Sequence, residues 1–291
     1  MILAALAGLA ASVCTLPSGW SEAVASRPRF VVFGETHGTD QSPALVGRAA
    51  CALAQRGERL LVAVEFSSIQ NHGLQAAWRL PHRRFAERLV AAMPEWRGRE
   101  DGVASRAMLA MLVNLHALKA RGARIDVVAF SGANGPEQEA RFRNLPGQGP
   151  HEAAQAENIR NAADAAPHDR VLVLVGSVHA HKQPVTFRGT SFEPMAMRLA
   201  PASQIVSLVM VDGGGTMWNC LAKPGLTLRP GVPIGPEDMD CGIHSAQADA
   251  VVDSPAAVAL GTPPQGRADP AFDGYYWVGA ISGSPPAVPE P

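Results

Sequence analysis

The sequence predicts an α/β fold: a mainly parallel sheet with helices on both faces and a site at the strand carboxyl ends. Three observations carry that prediction. Continuous apolar runs recur at Arg29–Phe33, Leu60–Phe66, Ile125–Phe130, Val171–Val175 and Ile205–Val211, the pattern of strands buried on both faces. Helical patterns lie between them at Ala44–Gln55, His82–Met93, Val103–Ala120, His151–Ala165 and Phe192–Leu199; strands alternating with helices make the sheet parallel. Finally, one phrase occurs twice, an apolar run ending in Gly with His three residues later. It reads Gly34-Glu35-Thr36-His37-Gly38 and then Gly176-Ser177-Val178-His179. Right-handed crossovers put all strand carboxyl ends on one edge, where open α/β sheets bind their ligands.

Each element follows in order. The first strand delivers Glu35 and His37 past a Gly that permits close approach. The second closes on Val62-Ala63-Val64-Glu65-Phe66, and a carboxylate ending a buried strand is costly unless paired or solvated in a cleft. The third ends Phe130-Ser131-Gly132, and the fourth gives His179, with His181 two residues on. The stretch from Phe30 to Phe66 echoes that from Val171 to Val211, as an internal duplication or two βαβ units would. After Val211 the texture changes. Asp212-Gly213-Gly214-Gly215 reads as a turn, Thr216–Leu221 as a further strand, Ser254–Pro270 as loop, and Tyr275–Ile281 as a late strand at the sheet edge. The organisation expected is residues 1–13 as a signal peptide, 14–281 as a single α/β domain, and 282–291 as a disordered Pro-rich tail.

Composition narrows the function. The chain has 291 residues, 47% of them hydrophobic, and a net charge of −1, so bulk electrostatics favour neither nucleic acid nor an anionic membrane. Only two tyrosines and an aromatic share of 5% argue against a base-stacking platform. The partner expected is a small-molecule substrate. Met1–Ala11 is apolar yet too short to span a bilayer, and Ala10-Ala11-Ser12 offers a small-x-small cleavage pattern. It reads as a secretory signal, despite lacking a preceding Lys or Arg, with a packed N-terminal helix as the alternative. That places the protein in the periplasm or outside the cell, the cytoplasm being the alternative, with no stable transmembrane segment in the mature chain. Cys51, in an alanine-rich helical stretch, reads as a buried thiol. Cys14 is a poor lipid anchor, because Val13 is bulky where a small residue is needed. Cys220 and Cys241 flank an irregular segment and would pair in an oxidising compartment, closing a loop worth roughly 3 kcal/mol.

Candidate chemistry rests on Glu35, His37, Glu65 and His179. The bland alternatives are a helix-capping turn for the first two, a backbone-bonded carboxylate for Glu65 and a structural imidazole for His179. No Gly-x-Ser-x-Gly elbow exists. His151-Glu152-Ala153-Ala154-Gln155 begins like a zincin helix but has Gln where the second His belongs. Gly147-Gln148-Gly149-Pro150 follows no strand, so it is not a dinucleotide fingerprint. Two carboxylates and two or three imidazoles suit a general base acting on water, and equally a His/carboxylate metal site.

Gly34-Glu35-Thr36-His37-Gly38, Glu65, Glu157-Asn158-Ile159 within a helix, and Gly176-Ser177-Val178-His179 occur in an order that resembles a known superfamily. It joins erythromycin-esterase-like hydrolases, ChaN-type haem-uptake lipoproteins and Tiki/TraB proteins, and the resemblance covers roughly Phe30 to Val211. It implies an α/β fold with a deep cleft at the strand ends. The esterase branch implies Glu35, His37, Glu65 and His179 as a cofactor-free polar centre in which His activates water. The Tiki branch implies a divalent metal such as Mn²⁺ or Zn²⁺ on the same four residues, in a hydrolase or peptidase. The ChaN branch implies binding of haem, iron or a small ligand without turnover, although Tyr275 and Tyr276 lie outside the matching region. Helices of the family carry an Arg and a Met-Ala pair where this chain has His151-Glu152 and Gln155-Ala156. Arg106 is taken as the substitute cation for polarising a carbonyl, its alternative being an exposed helix residue. The expectation is an exported hydrolase acting on an ester or related acyl bond.

Overall fold

A computed structural model describes residues 14–225, 235–266 and 269–288. Its strands are β1 (Phe30–Glu35), β2 (Leu60–Ser67), β3 (Ile125–Ser131), β4 (Arg170–Gly176), β5 (Val185–Phe187), β6 (Thr190–Phe192), β7 (Ile205–Val211), β8 (Gly215–Ala222), β9 (Met239–Ala246), β10 (Ala257–Leu260) and β11 (Gly274–Trp277). Its helices are α1 (Trp20–Ala23), α2 (Gln41–Gln55), α3 (Asn71–Trp78), α4 (His82–Ala92), α5 (Glu95–Gly98), α6 (Arg106–Ala120), α7 (Pro136–Phe142), α8 (Gly149–Asp164) and α9 (Met195–Leu199). Seven strands form the main sheet in the order β10-β11-β7-β1-β4-β2-β3. All neighbours pair in parallel except β10 with β11.

The apolar runs become central strands because both of their faces are covered. Val31, Phe33, Val62, Val64 and Leu172 join Leu45, Leu74, Met108 and Leu112 in one buried cluster, which packs α2, α3 and α6 on one face. Phe30, Val32, Ala63, Val171 and Val173 join Ala156, Ile159, Met195 and Leu199 in another, which packs α8 and α9 on the other. The parity of each strand thus sends alternate side chains to opposite layers. Strand β4 lies between β1 and β2, with Glu35 in register with Gly176 and Val64 with Leu174. The ends of β1, β4 and β2 therefore open side by side.

The second half of the chain departs from the sequence reading. Thr216–Leu221 does form a strand, β8, but its ladder is with β9 in a separate two-stranded sheet, tied to the rest by a bridge from Gly215 to Ile281 and by Trp218 N–H donating to Gly38 O. The late strand, β11, is not at the edge. It lies beside β7 and is covered by β10, which comes from the segment read as loop. Backbone pairing of Val258 with Tyr276 and Ala259 with Tyr275 places those residues without any apolar period in the sequence. The tail expected to be disordered from 282 is ordered over 282–288. Asp40 N–H donates to Ser282 O, Arg106 N–H to Pro285 O and Ala287 N–H to Ala104 O, strapping the tail across the loop after β1 and the start of α6. Proline there removes donors without preventing the chain from accepting bonds.

Cys51 is not a free thiol: it is bonded to Cys14, and Cys220 is bonded to Cys241. The second bond joins residues directly opposite on β8 and β9. No helix among the described residues is long and apolar enough to cross a membrane. The expected signal peptide, residues 1–13, lies outside the described residues.

Candidate active site

Glu35 and His37 leave the end of β1, Glu65 lies near the end of β2, and His179 sits in the 3₁₀ turn Ser177–Ala180 after β4. The structure brings these four side chains together. His37 Nδ1–H donates to Glu35 Oε1 at 2.9 Å, and its Nε2 lies 3.4 Å from Glu65 Oε2. The other Glu65 oxygen, Oε1, lies 3.5 Å from His179 Nε2. His179 Nδ1–H in turn donates to Glu152 Oε1 at 2.7 Å. One carboxylate thus stands between two imidazoles, and each imidazole is oriented from behind by another carboxylate.

Backbone fit makes this possible. Gly176, between the two outer strands, donates its N–H to Glu65 Oε2 at 2.7 Å. A Cβ at that position would lie 2.9 Å from His37 Nε2, so any side chain would displace the imidazole. Gly34 is demanded in the same way, because a Cβ there would come within 2.9 Å of the Ala180 side chain and 3.1 Å of Ser177 Cα. The two glycines of the repeated phrase let the β1 and β4 ends close around the site.

Exposure separates the roles. The side chains of Glu35, Glu65 and Glu152 are 3%, 7% and 0% exposed, against 22% and 15% for His37 and His179. The imidazoles reach solvent and the carboxylates lie behind them. Burial disfavours the charged form of His37, but Glu65 and the hydrogen bond to Glu35 outweigh it and raise its pKa to about 9. His179 is raised too: burial opposes the charge, while Glu152 and Glu65 prevail. For Glu65, burial pushes upward and is overcome by His37, His179 and the Gly176 N–H, which keep it below the usual carboxylate range. Behind the site, Tyr276 donates to Gly34 O and is bonded to Ser42. Burial and then Glu35 hold its phenol protonated well above the ordinary range. Among the described residues, Glu35 Oε2 is buried without a hydrogen-bond partner.

Two of the contributing groups were not singled out from the sequence. Glu152, passed over in an incomplete zincin pattern, is fully buried on α8 and also accepts from Met195 N–H at 2.7 Å. Its signal was a carboxylate set among Ala153, Ala154 and Ala156, on a helix face otherwise built for burial. His151 precedes it and brings its ring within 5.7 Å of the His179 ring, centroid to centroid. Arg106, in contrast, is the exposed first residue of α6. The guanidinium near the site is that of Arg99, which donates to Glu65 O at 2.7 Å and pairs with Glu95 and Asp101. It braces the β2 end from the rear and is committed to those acceptors.

The donor types of His37, Glu65 and His179 suit Mn²⁺ or Zn²⁺, but their arrangement does not. Among the described residues, the group of three whose ligand atoms all lie within 4.8 Å of one another is Glu100, Cys220 and Cys241, and those cysteines form a disulfide. A metal shared by the two imidazoles would need Glu65 to move from between them. Of the two tyrosines, Tyr276 is fully buried in the core, whereas Tyr275 is half-buried on the same strand.

No family model and no curated protein matches the chain by sequence. Solved structures do match by fold. A mutant of the erythromycin esterase EreC in its open conformation aligns with a TM-score of 0.58 at 12% identity, covering 91% of this chain and 93% of that one. A succinoglycan biosynthesis protein aligns at 0.55 and 9% identity, covering 91% of each chain. A Bacillus cereus protein aligns at 0.55 and 10%, again over 91% of each. The chain has the fold that an esterase uses.

Proposed function

We propose that the protein is an exported hydrolase that activates water against an ester or related acyl bond, in the manner of the erythromycin-esterase-like superfamily it resembles. The observation that carries this reading is Glu65 set between the Nε2 atoms of two imidazoles, each held at Nδ1 by its own carboxylate. A neutral His37 keeps its Nδ1 proton on Glu35 and offers Nε2 to water. As the water oxygen bonds to the acyl carbon, its proton passes to Nε2, and Glu35 and Glu65 stabilise the imidazolium. His179, held as imidazolium by Glu152 and Glu65, gives its Nε2 proton to the leaving oxygen as the acyl–oxygen bond breaks. His37 then carries one proton too many and His179 one too few. Glu65, touching both Nε2 atoms, is the shortest route for its return.

Support for export comes from the two disulfides, which persist in oxidising compartments. Protein recovered from the producing cell is expected to lack its first dozen or so residues and to resist alkylation at Cys220 and Cys241 until reduced. A retained Met1 with reactive thiols would place it in the cytoplasm.

A panel of aryl and alkyl esters, with chelator and then with added Mn²⁺ or Zn²⁺, tests the activity. Turnover that survives chelation is the expected result. Turnover abolished by chelator and restored by either ion would favour a metal-dependent hydrolase, and no turnover on any acyl substrate would favour a binding protein.

A further inference from the structure

The site holds a third imidazole that the reaction above does not use. His151 lies in the first turn of α8 and is exposed, one residue before the Glu152 that fixes His179. Gln155, one turn on and fully buried, sets its Nε2 at 2.6 Å from His151 Nε2. An amide nitrogen only donates, so His151 Nε2 accepts and a neutral ring carries its proton on Nδ1. Desolvation, then the charge of His179, hold His151 below the ordinary imidazole range. It is therefore the neutral imidazole of the group, beside two that are held high.

Its Nδ1 has a defined neighbour. A Cβ on Gly132 would touch that nitrogen at 3.5 Å and Cε1 of the same ring at 3.6 Å, so the missing side chain leaves the Nδ1 edge of the ring uncovered beside the end of β3. The backbone there is fixed, since Gly132 O accepts from Ser68 Oγ at 2.8 Å and from Asn158 Nδ2 at 2.8 Å. Among the described residues, its other ring contact is with His179. Its ring lies at the surface, and its contact with Gln155 stays within one helix.

We infer that His151 contacts the substrate, donating Nδ1–H to an acyl oxygen that occupies the space beside Gly132. The donor is neutral, so it adds no positive charge next to His179 and competes with neither imidazole for the proton being moved. This inference rests on the acyl-hydrolase reading, and the experiment separates the two.

His151→Leu removes the donor, whereas His151→Asn keeps an N–H near the Nδ1 position. Loss of one preorganised donor costs about 10²–10³-fold in kcat. His151→Leu is expected to lose activity in that range on the ester panel, with unchanged thermal stability, and His151→Asn to recover at least tenfold of it. Nitrogen-15 NMR of the wild type should show His151 as the Nδ1–H tautomer at pH 7. A His151→Leu variant within twofold of wild type would overturn this inference and leave the hydrolase reading standing, as would equal losses in both variants. A wild type without turnover would overturn both.

Discussion

His37 and His179 do the same thing with their nitrogens and are built in opposite ways. In the first pair, imidazole and carboxylate are two residues apart on one strand end. In the second they are 27 residues apart, on a helix and a turn from different parts of the chain. The first carboxylate, Glu35, has one hydrogen-bonded oxygen and one buried without a partner among the described residues. The second, Glu152, uses both: one oxygen for His179 and the other for the Met195 N–H that begins α9. The local pair is free to serve chemistry alone. The non-local pair also ties α8 to α9, so its carboxylate carries structure as well as charge.

The largest effect expected is on turnover. His37→Ala and His179→Ala should each lower kcat by about 10²–10⁴-fold with little change in KM, as loss of an acid or base does. The double variant should fall hardly further, because groups acting as one unit are not additive. Initial rates on the best ester of the panel decide this. If only one of the two mattered, the other pair would be structural and the comparison would collapse.

A smaller effect separates the two carboxylates. Glu152→Ala strands His179 Nδ1 and the buried Met195 N–H, and a stranded buried polar group costs about 1–3 kcal/mol. Glu35→Ala strands only His37 and removes an oxygen that already lacked a partner. Urea denaturation should therefore find Glu152→Ala the less stable variant, and the opposite order would contradict the division of roles.

Dependence on pH comes last in size. His37 must be neutral to act as base while His179 stays protonated to act as acid, and both are raised, His37 to about 9, so kcat/KM should follow a bell in pH, its rise and fall set by these two imidazoles. Glu35→Gln removes one of the charges holding it up and should move the rising limb to lower pH. Because the folded pKa exceeds the unfolded one, the pairing of His37 stabilises the fold fully below its ordinary value of 6.5. That stabilisation is lost as pH rises through about 9. Melting temperature between pH 6 and 10 should follow that loss in wild type and show less of it in Glu35→Gln. A flat kcat/KM profile across this window would exclude His37 as the base.

The same difference explains what the sequence makes legible. Glu35, His37, Glu65 and His179 stand at the ends of long apolar strands, and parallel order alone brings such ends together. Glu152 cannot be found that way. Its partners depend on how α8 packs against α9 and on where the turn after β4 places His179, which is tertiary information. Strand-end logic does not reach Arg106, at a helix start, and the rear position belongs to Arg99 on the segment between α5 and α6. In the fold, strands with continuous apolar runs are readable, whereas β10 and the ordered tail are not. Those are held by backbone bonds to neighbours already in place, which leave little mark on side-chain pattern.

The account depends most on Glu65 joining the two imidazoles, and Glu65→Gln tests that in one measurement. The amide matches the carboxylate in size, and its oxygen can still accept from the Gly176 N–H, so the fold should be retained. It cannot stabilise either imidazolium or carry a proton between them. In chelator-treated protein, the account predicts that kcat on the best ester falls by at least about 10²-fold while KM stays within a few-fold of wild type. Wild-type turnover in Glu65→Gln would contradict it.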